Sequence, residues 1–166
     1  MTTHLASHIV NRRMAHDDDF RRMRQLLVDT VPITPIGFNW DMRRLDGKRF
    51  YNADLEANRL LARPVQLWED DGALVAYVLS EGVGDAHLQV HPDYRHLEDE
   101  ILEWAEAHLA APGSDGLRQL ELVVNEYDAH RQRLLAERGF EKMDYGGMIR
   151  HLRFGKQSIP EPQVAD

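Results

Sequence analysis

The sequence contains no cysteine, which excludes disulfides, thiolate zinc sites and a cysteine nucleophile. Long apolar runs are missing as well. The longest, ALVAYVL from Ala73 to Leu79, is too short to span a bilayer. The opening MTTHLASHIV carries neither the basic segment nor the apolar stretch of a secretory signal. These absences lead to the expectation of a soluble, cytoplasmic protein. Basic residues are in deficit, with 20 Lys and Arg against 28 Asp and Glu and a net charge of −8. A surface of that sign repels nucleic acid and anionic membranes, so neither is expected as a partner. Arg43, Arg44, Lys48 and Arg49 make a local basic cluster that reads first as a solvated helix or loop face. No G-x-S-x-G elbow and no Walker-type loop occurs, which leaves hydrolase and P-loop chemistry without support.

What is present fits one domain. A chain of 166 residues buries enough surface to be stable without covalent staples. Residues 1–154 are expected to form it, and residues 155–166, with GKQSIPEPQVAD closing the chain, have the composition of a linker or a disordered end.

HIVNRRM predicts a first strand, and HDDDFRRMRQLLVDTV a helix. Its three aspartates suit the positive end of the helix dipole, and Phe20, Met23, Leu26 and Leu27 form its apolar stripe. Pro32 and Pro35 end it. The next stretch reads as one or two short helices interrupted at Asp46-Gly47. VQLWE and ALVAYVLSEG are strand-like runs separated by Asp70-Asp71-Gly72, a hairpin signal. Gly82, Gly84 and Asp85 turn the chain into AHLQVH, which a helix follows over residues 95–110. APGSDG reads as a loop. LRQLELVVNE is a strand with Leu120, Leu122 and Val124 on one face, and YDAHRQRLLAERG a helix that Gly139 terminates. FEKMDYGGMIRHLRF would close the domain as two more strands turned at Gly146-Gly147. The expected fold is α/β, with a mixed sheet flanked by helices.

This order, with VHPDYR opening one helix and LLAERGFE leaving the next, resembles the GNAT superfamily of N-acetyltransferases over residues 9–154. The resemblance implies a mostly antiparallel central sheet, splayed between the strand ending near Val90 and the strand from Leu120 to Val124. It also implies acetyl-CoA as acyl donor, with the pantetheine arm lying in the opening against backbone at Leu88 and Val90. The family's pyrophosphate loop reads Q/R-x-x-G-x-G/A. Arg95 matches its first position, but Glu98 and Glu100 stand at the glycine positions. A carboxylate about 7 Å from a phosphate charge costs roughly 0.6–2.4 kcal/mol, so this helix start is expected to oppose the donor's phosphates. Alternatively, its acids simply complement the helix dipole. Arg95, His96 and Asn125 are the remaining candidate donor contacts; Asn125 either bonds the pantetheine arm or simply caps the following helix, and the cap is the favoured reading.

The family's last long helix commonly reads N-x-x-A-x-x-L-Y-x-x-x-G-F. Aligned on Gly139-Phe140, Leu135 takes the position of the tyrosine that protonates the departing thiolate, and Asp128 that of the asparagine. Leu135 is expected to point into the core or a blocked cleft. Tyr94, Tyr127 and Tyr145 are tyrosines elsewhere, with Tyr127 a candidate relocated acid. For a base, Glu81, Asp85 and His87 lie at the turn into the splayed strand, and histidine titrates nearest neutral pH. His87, His91 and His96 do not make a metal site by spacing: strand residues four apart lie about 13 Å from each other, and His91 with His96 lacks a third ligand. The resulting expectation is an acetyl-CoA-dependent N-acetyltransferase acting on a small-molecule or peptide amine. The alternative is an inactive GNAT-fold binding or interaction module with impaired CoA binding. The resemblance to members carrying two such domains in tandem leaves a monomer and a homodimer open.

Overall fold

The computed structural model describes residues 8–50, 64–144 and 146. The chain begins with β1 (Ile9–Arg13), α1 (Asp17–Thr30), a 3-10 turn (Val31–Ile33) and α2 (Met42–Phe50). Three strands follow: β2 (Gln66–Asp70), β3 (Ala73–Leu79) and β4 (Asp85–Val90). A 3-10 segment (Pro92–Leu97) leads into α3 (Glu98–His108), and then come β5 (Ala111–Pro112), β6 (Arg118–Gln119), β7 (Glu121–Leu122) and α4 (Ala129–Glu137). The main sheet has the order β1-β2-β3-β4-β7. Its first three pairings are antiparallel, and only β4 with β7 is parallel.

Helices cover both faces of this sheet, and β3, ALVAYVL, accordingly reads as a continuous apolar run, whereas β2 places the polar Gln66 and Glu69 among its buried residues. Asp71 and Gly72 turn between them with φ of 46° and 83°, the left-handed pair that a tight two-residue hairpin requires. A bulge at Trp68 and Glu69 sets Val75 as an extra residue opposite them. On one face Trp68, Ala76, Val78, Ala86, Leu88 and Val90 pack against Ile101, Leu102 and Ala105 of α3 and Leu135 of α4. On the other, Leu67, Tyr77 and Leu79 meet Phe20, Met23, Leu26 and Leu27 of α1 and Leu45 of α2. The expected stripe of α1 is therefore its buried face.

The acids at the start of α1 have separate fates. Asp19 is buried and accepts from the Ala15 and His16 amides at 2.9 and 3.2 Å and from Arg12 of β1 at 2.9 and 2.5 Å. Those bonds, Arg12's first, hold its carboxyl well below the usual carboxylate range against the upward push of burial. Glu69 joins Arg12 and Arg22 at 2.8 and 2.6 Å, tying β1, β2 and α1 together.

Several expectations need correction. α2 runs straight through Asp46-Gly47: a single glycine only weakens a helix, Asp41 receives the Arg43 amide at 2.9 Å at its start, and Asp46 pairs with Arg24 at 3.2 Å. The APGSDG loop is closed by a short antiparallel ladder of β5 with β6. The following strand is interrupted, with only Glu121 and Leu122 in β7, although Leu120, Leu122 and Val124 do share one packed face. The helix expected over residues 95–110 begins as 3-10 turn and becomes α only at Glu98. Residues 140–144 are not strand, and the rest of the expected closing strands, with the tail at 155–166, lies outside the described residues. Among the described residues no helix is long and apolar enough to cross a membrane.

Candidate functional site

β4 and β7 pair only at Asp85 with Glu121 and Ala86 with Leu122. Which backbone groups face the opening beyond follows from two bonds. The Glu121 amide donates to the Gly84 carbonyl and the His91 amide to the Val75 carbonyl, both at 2.8 Å. Polar groups alternate sides along a strand, so Gly84, Ala86, Leu88 and Val90 face β7, whereas His87, Gln89 and His91 face β3. The N–H and C=O groups of Leu88 and Val90 are thus directed into the splay.

One rim of the opening is a carboxylate–imidazole cluster. His87 Nε2 lies 3.2 Å from Asp85 Oδ2 and 3.8 Å from Glu81 Oε2. Asp85 accepts from the Gly82 and Glu81 amides at 2.8 and 3.1 Å and from the Ser80 hydroxyl. Burial alone would raise the Asp85 pKa, but His87, Ser80 and the Gly82 amide outweigh it and hold the carboxyl far below its ordinary value. Arg44 pairs with Glu81. The Trp40 ring lies 5.7 Å from that of His87 at an interplanar angle of 34°.

Behind the rim, buried Gln89 donates to Asn39 Oδ1 at 2.5 Å and Thr30 Oγ1 at 3.1 Å, and its carbonyl accepts the Trp40 amide at 3.1 Å. From beyond β7, Asn125 Nδ2 donates to the Gly37 carbonyl at 2.7 Å and the Tyr127 hydroxyl to the Ile36 carbonyl at 3.0 Å. The segment between α1 and α2 therefore bonds to both sides of the opening. Asn125 does not cap α4; that position belongs to Asp128, which accepts the Arg131 amide at 3.1 Å.

The start of α3 differs most from expectation. Glu98 is fully buried and accepts from Arg95 Nε at 2.7 Å and from Arg131 Nε and Nη2 at 2.9 and 3.0 Å. Arg95 also donates to both oxygens of Asp128 at 2.7 and 2.9 Å. Two cations and two anions thus make a closed, neutral quartet. Burial pushes the Glu98 pKa up, and the bonds from Arg131 and Arg95 reverse that and lower it. Glu98 does not present bare charge to a phosphate; its charge is matched by the guanidiniums of Arg95 and Arg131. Glu100 turns to the opposite side, where it accepts from Trp68 Nε1 at 2.8 Å and Asn11 Nδ2 at 2.9 Å. The 3-10 segment before α3 uses its own amides, as in Tyr94 to the His91 carbonyl at 2.8 Å, and offers no glycine cradle. The residues present fit the pantetheine arm at β4; in this conformation they do not fit a diphosphate at α3.

Leu135 is buried in the core cluster against α3, as expected from its place in the helix. His91 accepts the Asp93 amide at 3.3 Å as the cap of the 3-10 segment, and His96 is exposed. Tyr94 donates to Asp70 at 2.8 Å, and Tyr145 lies outside the described residues. Among the described residues no group of three or more His, Asp or Glu side chains is arranged to hold a metal ion. Sequence reasoning missed Phe38, Trp40, Gln89 and Arg131. Arg131 had a readable signal, standing three residues after Asp128 as Glu98 stands three after Arg95.

No protein-family model matches the sequence, and no curated protein matches it. Solved structures do. A GNAT-family acetyltransferase from Streptococcus pneumoniae is 16% identical, with 80% of this chain and 83% of that one covered at a TM-score of 0.55. The yncA protein of Salmonella typhimurium, solved with its cofactor acetyl-CoA, is 20% identical over 80% and 79% of the two chains, TM-score 0.54. A GCN5-related N-acetyltransferase from Ralstonia eutropha is 17% identical over 86% and 99%, TM-score 0.54.

Proposed function

We propose that this chain, which has the fold of the GNAT N-acetyltransferases, transfers an acetyl group from acetyl-CoA to an amine. The observation that carries the reading is the β4/β7 splay, with the backbone of Leu88 and Val90 directed into it. Those groups would bond the pantetheine arm as a strand does. Acetyl-CoA supplies an activated thioester. His87, oriented by Asp85 and faced by Glu81, takes the proton from the acceptor's ammonium, which frees the amine to attack the thioester carbonyl carbon. The amide bond forms as the C–S bond breaks, and the attacking nitrogen gives up its second proton to solvent. Leu135 has no proton to give, so solvent protonates the departing thiolate, and turnover is slower than with a placed acid by about 10²–10⁴.

The test is thiol release from acetyl-CoA with a panel of small amines and lysine peptides, the products identified by mass. His87→Ala is expected to lower turnover about 100-fold or more at neutral pH, with part recovered at high pH where amines are already deprotonated. Transfer unchanged in His87→Ala would remove the histidine from the reaction. The neutral quartet at α3 favours a second reading, a GNAT fold that no longer binds the donor. Acetyl-CoA titrated to millimolar concentration without binding would establish it.

A further inference from the structure

The segment 36–40 crosses the splay. On the β4 side the Trp40 amide donates to Gln89, and Trp40 covers His87. On the β7 side the Gly37 and Ile36 carbonyls accept from Asn125 and Tyr127. Between these ties Phe38 is buried, its ring 5.2 Å from the Arg95 guanidinium and 5.7 Å from that of Arg131. Arg95 follows β4 and Arg131 follows β7, so the phenylalanine also bridges both sides. This is where an extended ligand bonded to Leu88 and Val90 would leave the sheet toward the helix starts.

We propose that segment 36–40 is a strap that holds the opening shut, and that the donor's thioester arm displaces it. The proposal rests on the acetyl-transfer reading and names the regulation of that same site. The ties suit a reversible latch. The two ties on the β7 side are single bonds at exposed groups, whereas on the β4 side Asn39 accepts from Gln89 and Thr30 at 2.5 and 2.9 Å beside the Trp40 bond, so release starts at the β7 side. The closed form also carries a defect: the Trp40 indole N–H is buried without a hydrogen-bond partner among the described residues, which disfavours it. Ile36 stands 64% exposed on the outside, so swinging the strap out removes little apolar area from the core at that end. Opening frees Phe38 from the guanidiniums and clears the way past His87. When only a fraction of molecules is open, apparent affinity falls by that fraction.

The strap thus assigns Asn125 and Tyr127 to holding the closed state. Removing their bonds should tighten donor binding. We expect Asn125→Ala/Tyr127→Phe to lower the Kd for acetyl-CoA about tenfold, that is ~1.4 kcal/mol, and Tyr127→Phe alone, which keeps the ring and serves if the double variant does not fold, about threefold. Hydrogen exchange on the native chain supplies the second readout. Saturating acetyl-CoA should speed exchange at the Phe38 and Trp40 amides while slowing it at Leu88 and Val90. Slower exchange in β4 with strap amides unchanged or also slowed would overturn the strap and keep acetyl transfer. Variants that bind no tighter than the native chain would do the same. Loss of turnover in Tyr127→Phe at unchanged Kd would make the tyrosine the acid and overturn the strap. Absence of binding to native and variant chains alike would overturn both proposals together.

Discussion

At the scale of the residue, Glu98 shows how a charge of apparently wrong sign becomes part of a core. Its side chain is entirely buried, and that of Arg131 is 8% exposed. Removing one member of such a group leaves its partner charged and dry, whereas replacing both with apolar side chains is often neutral or better. Glu98→Ala is therefore expected to cost about 3–5 kcal/mol and Glu98→Leu/Arg131→Met far less, measured as urea midpoints. Acid sensitivity follows with a definite sign. The Glu98 and Asp128 pKa values are both lowered, burial opposing and the arginine bonds prevailing. Stability from these groups is complete above the unfolded-state value of about 4 and is lost as pH falls through the depressed folded values. The Leu/Met variant, lacking one of the two carboxylates, should lose stability less steeply between about pH 4 and pH 2. An equal slope in both proteins would mean that the acid transition belongs to other carboxylates, such as Asp19 and Asp85.

At the scale of the element, turn chemistry was legible in the sequence and interruptions were not. The Asp-Gly hairpin, the stripe of α1 and the end of α4 at Gly139 all rest on local signals. Gly139 has φ of 84°, and the bonds from the Gly139 amide to Ala136 and the Phe140 amide to Leu135 complete a Schellman end. By contrast, α2 passes through Gly47: a single glycine only weakens a helix, and besides the local bond at Asp41 the helix is held through Asp46 by Arg24 of α1, a contact with no local trace. The strand around Glu121 is cut short because β4 leaves it after two residue pairs, a tertiary fact with no local trace. The splay and the grouping of Glu81, Asp85 and His87 at the turn into β4 were readable through family order; the strap was not, since its bonds join residues 88 and 91 positions apart in sequence. Two glycines separate local from tertiary constraint. A Cβ at Gly72 would meet nothing within 4 Å, so Gly72→Ala should cost only the strain of φ +83°, about 1 kcal/mol. A Cβ at Gly84, φ +75°, would lie 3.3 Å from the Gln119 carbonyl oxygen and 3.5 Å from Ala111 Cβ. Gly84→Ala should cost about 2 kcal/mol or more and also loosen the junction where β4 and β7 meet. Equal losses in thermal melts of the two variants would show that the contact at Gly84 relaxes freely.

At the scale of the whole molecule, charge decides how an anionic donor arrives. The chain carries a net −8, and the cations nearest the splay are already engaged: Arg95 and Arg131 in the quartet, Arg44 with Glu81. Farther out, Arg43 and Arg49 pair with Asp41 and Asp17, so the basic cluster of the sequence is neutralised piecewise wherever its side chains are described. A polyanion such as acetyl-CoA therefore meets long-range repulsion with little local compensation. Screening shortens the reach of that field from about 30 Å at 0.01 M salt to about 8 Å at 0.15 M. The association rate should accordingly rise with ionic strength over this range, opposite to the fall expected for a cleft lined with unpaired cations. Stopped-flow binding of acetyl-CoA, followed by tryptophan emission because Trp40 lies on the strap, reads this sign directly. A rate that falls with salt would mean that Arg95 and Arg131 are released from Glu98 and Asp128 before the donor docks, so that the quartet opens together with the strap.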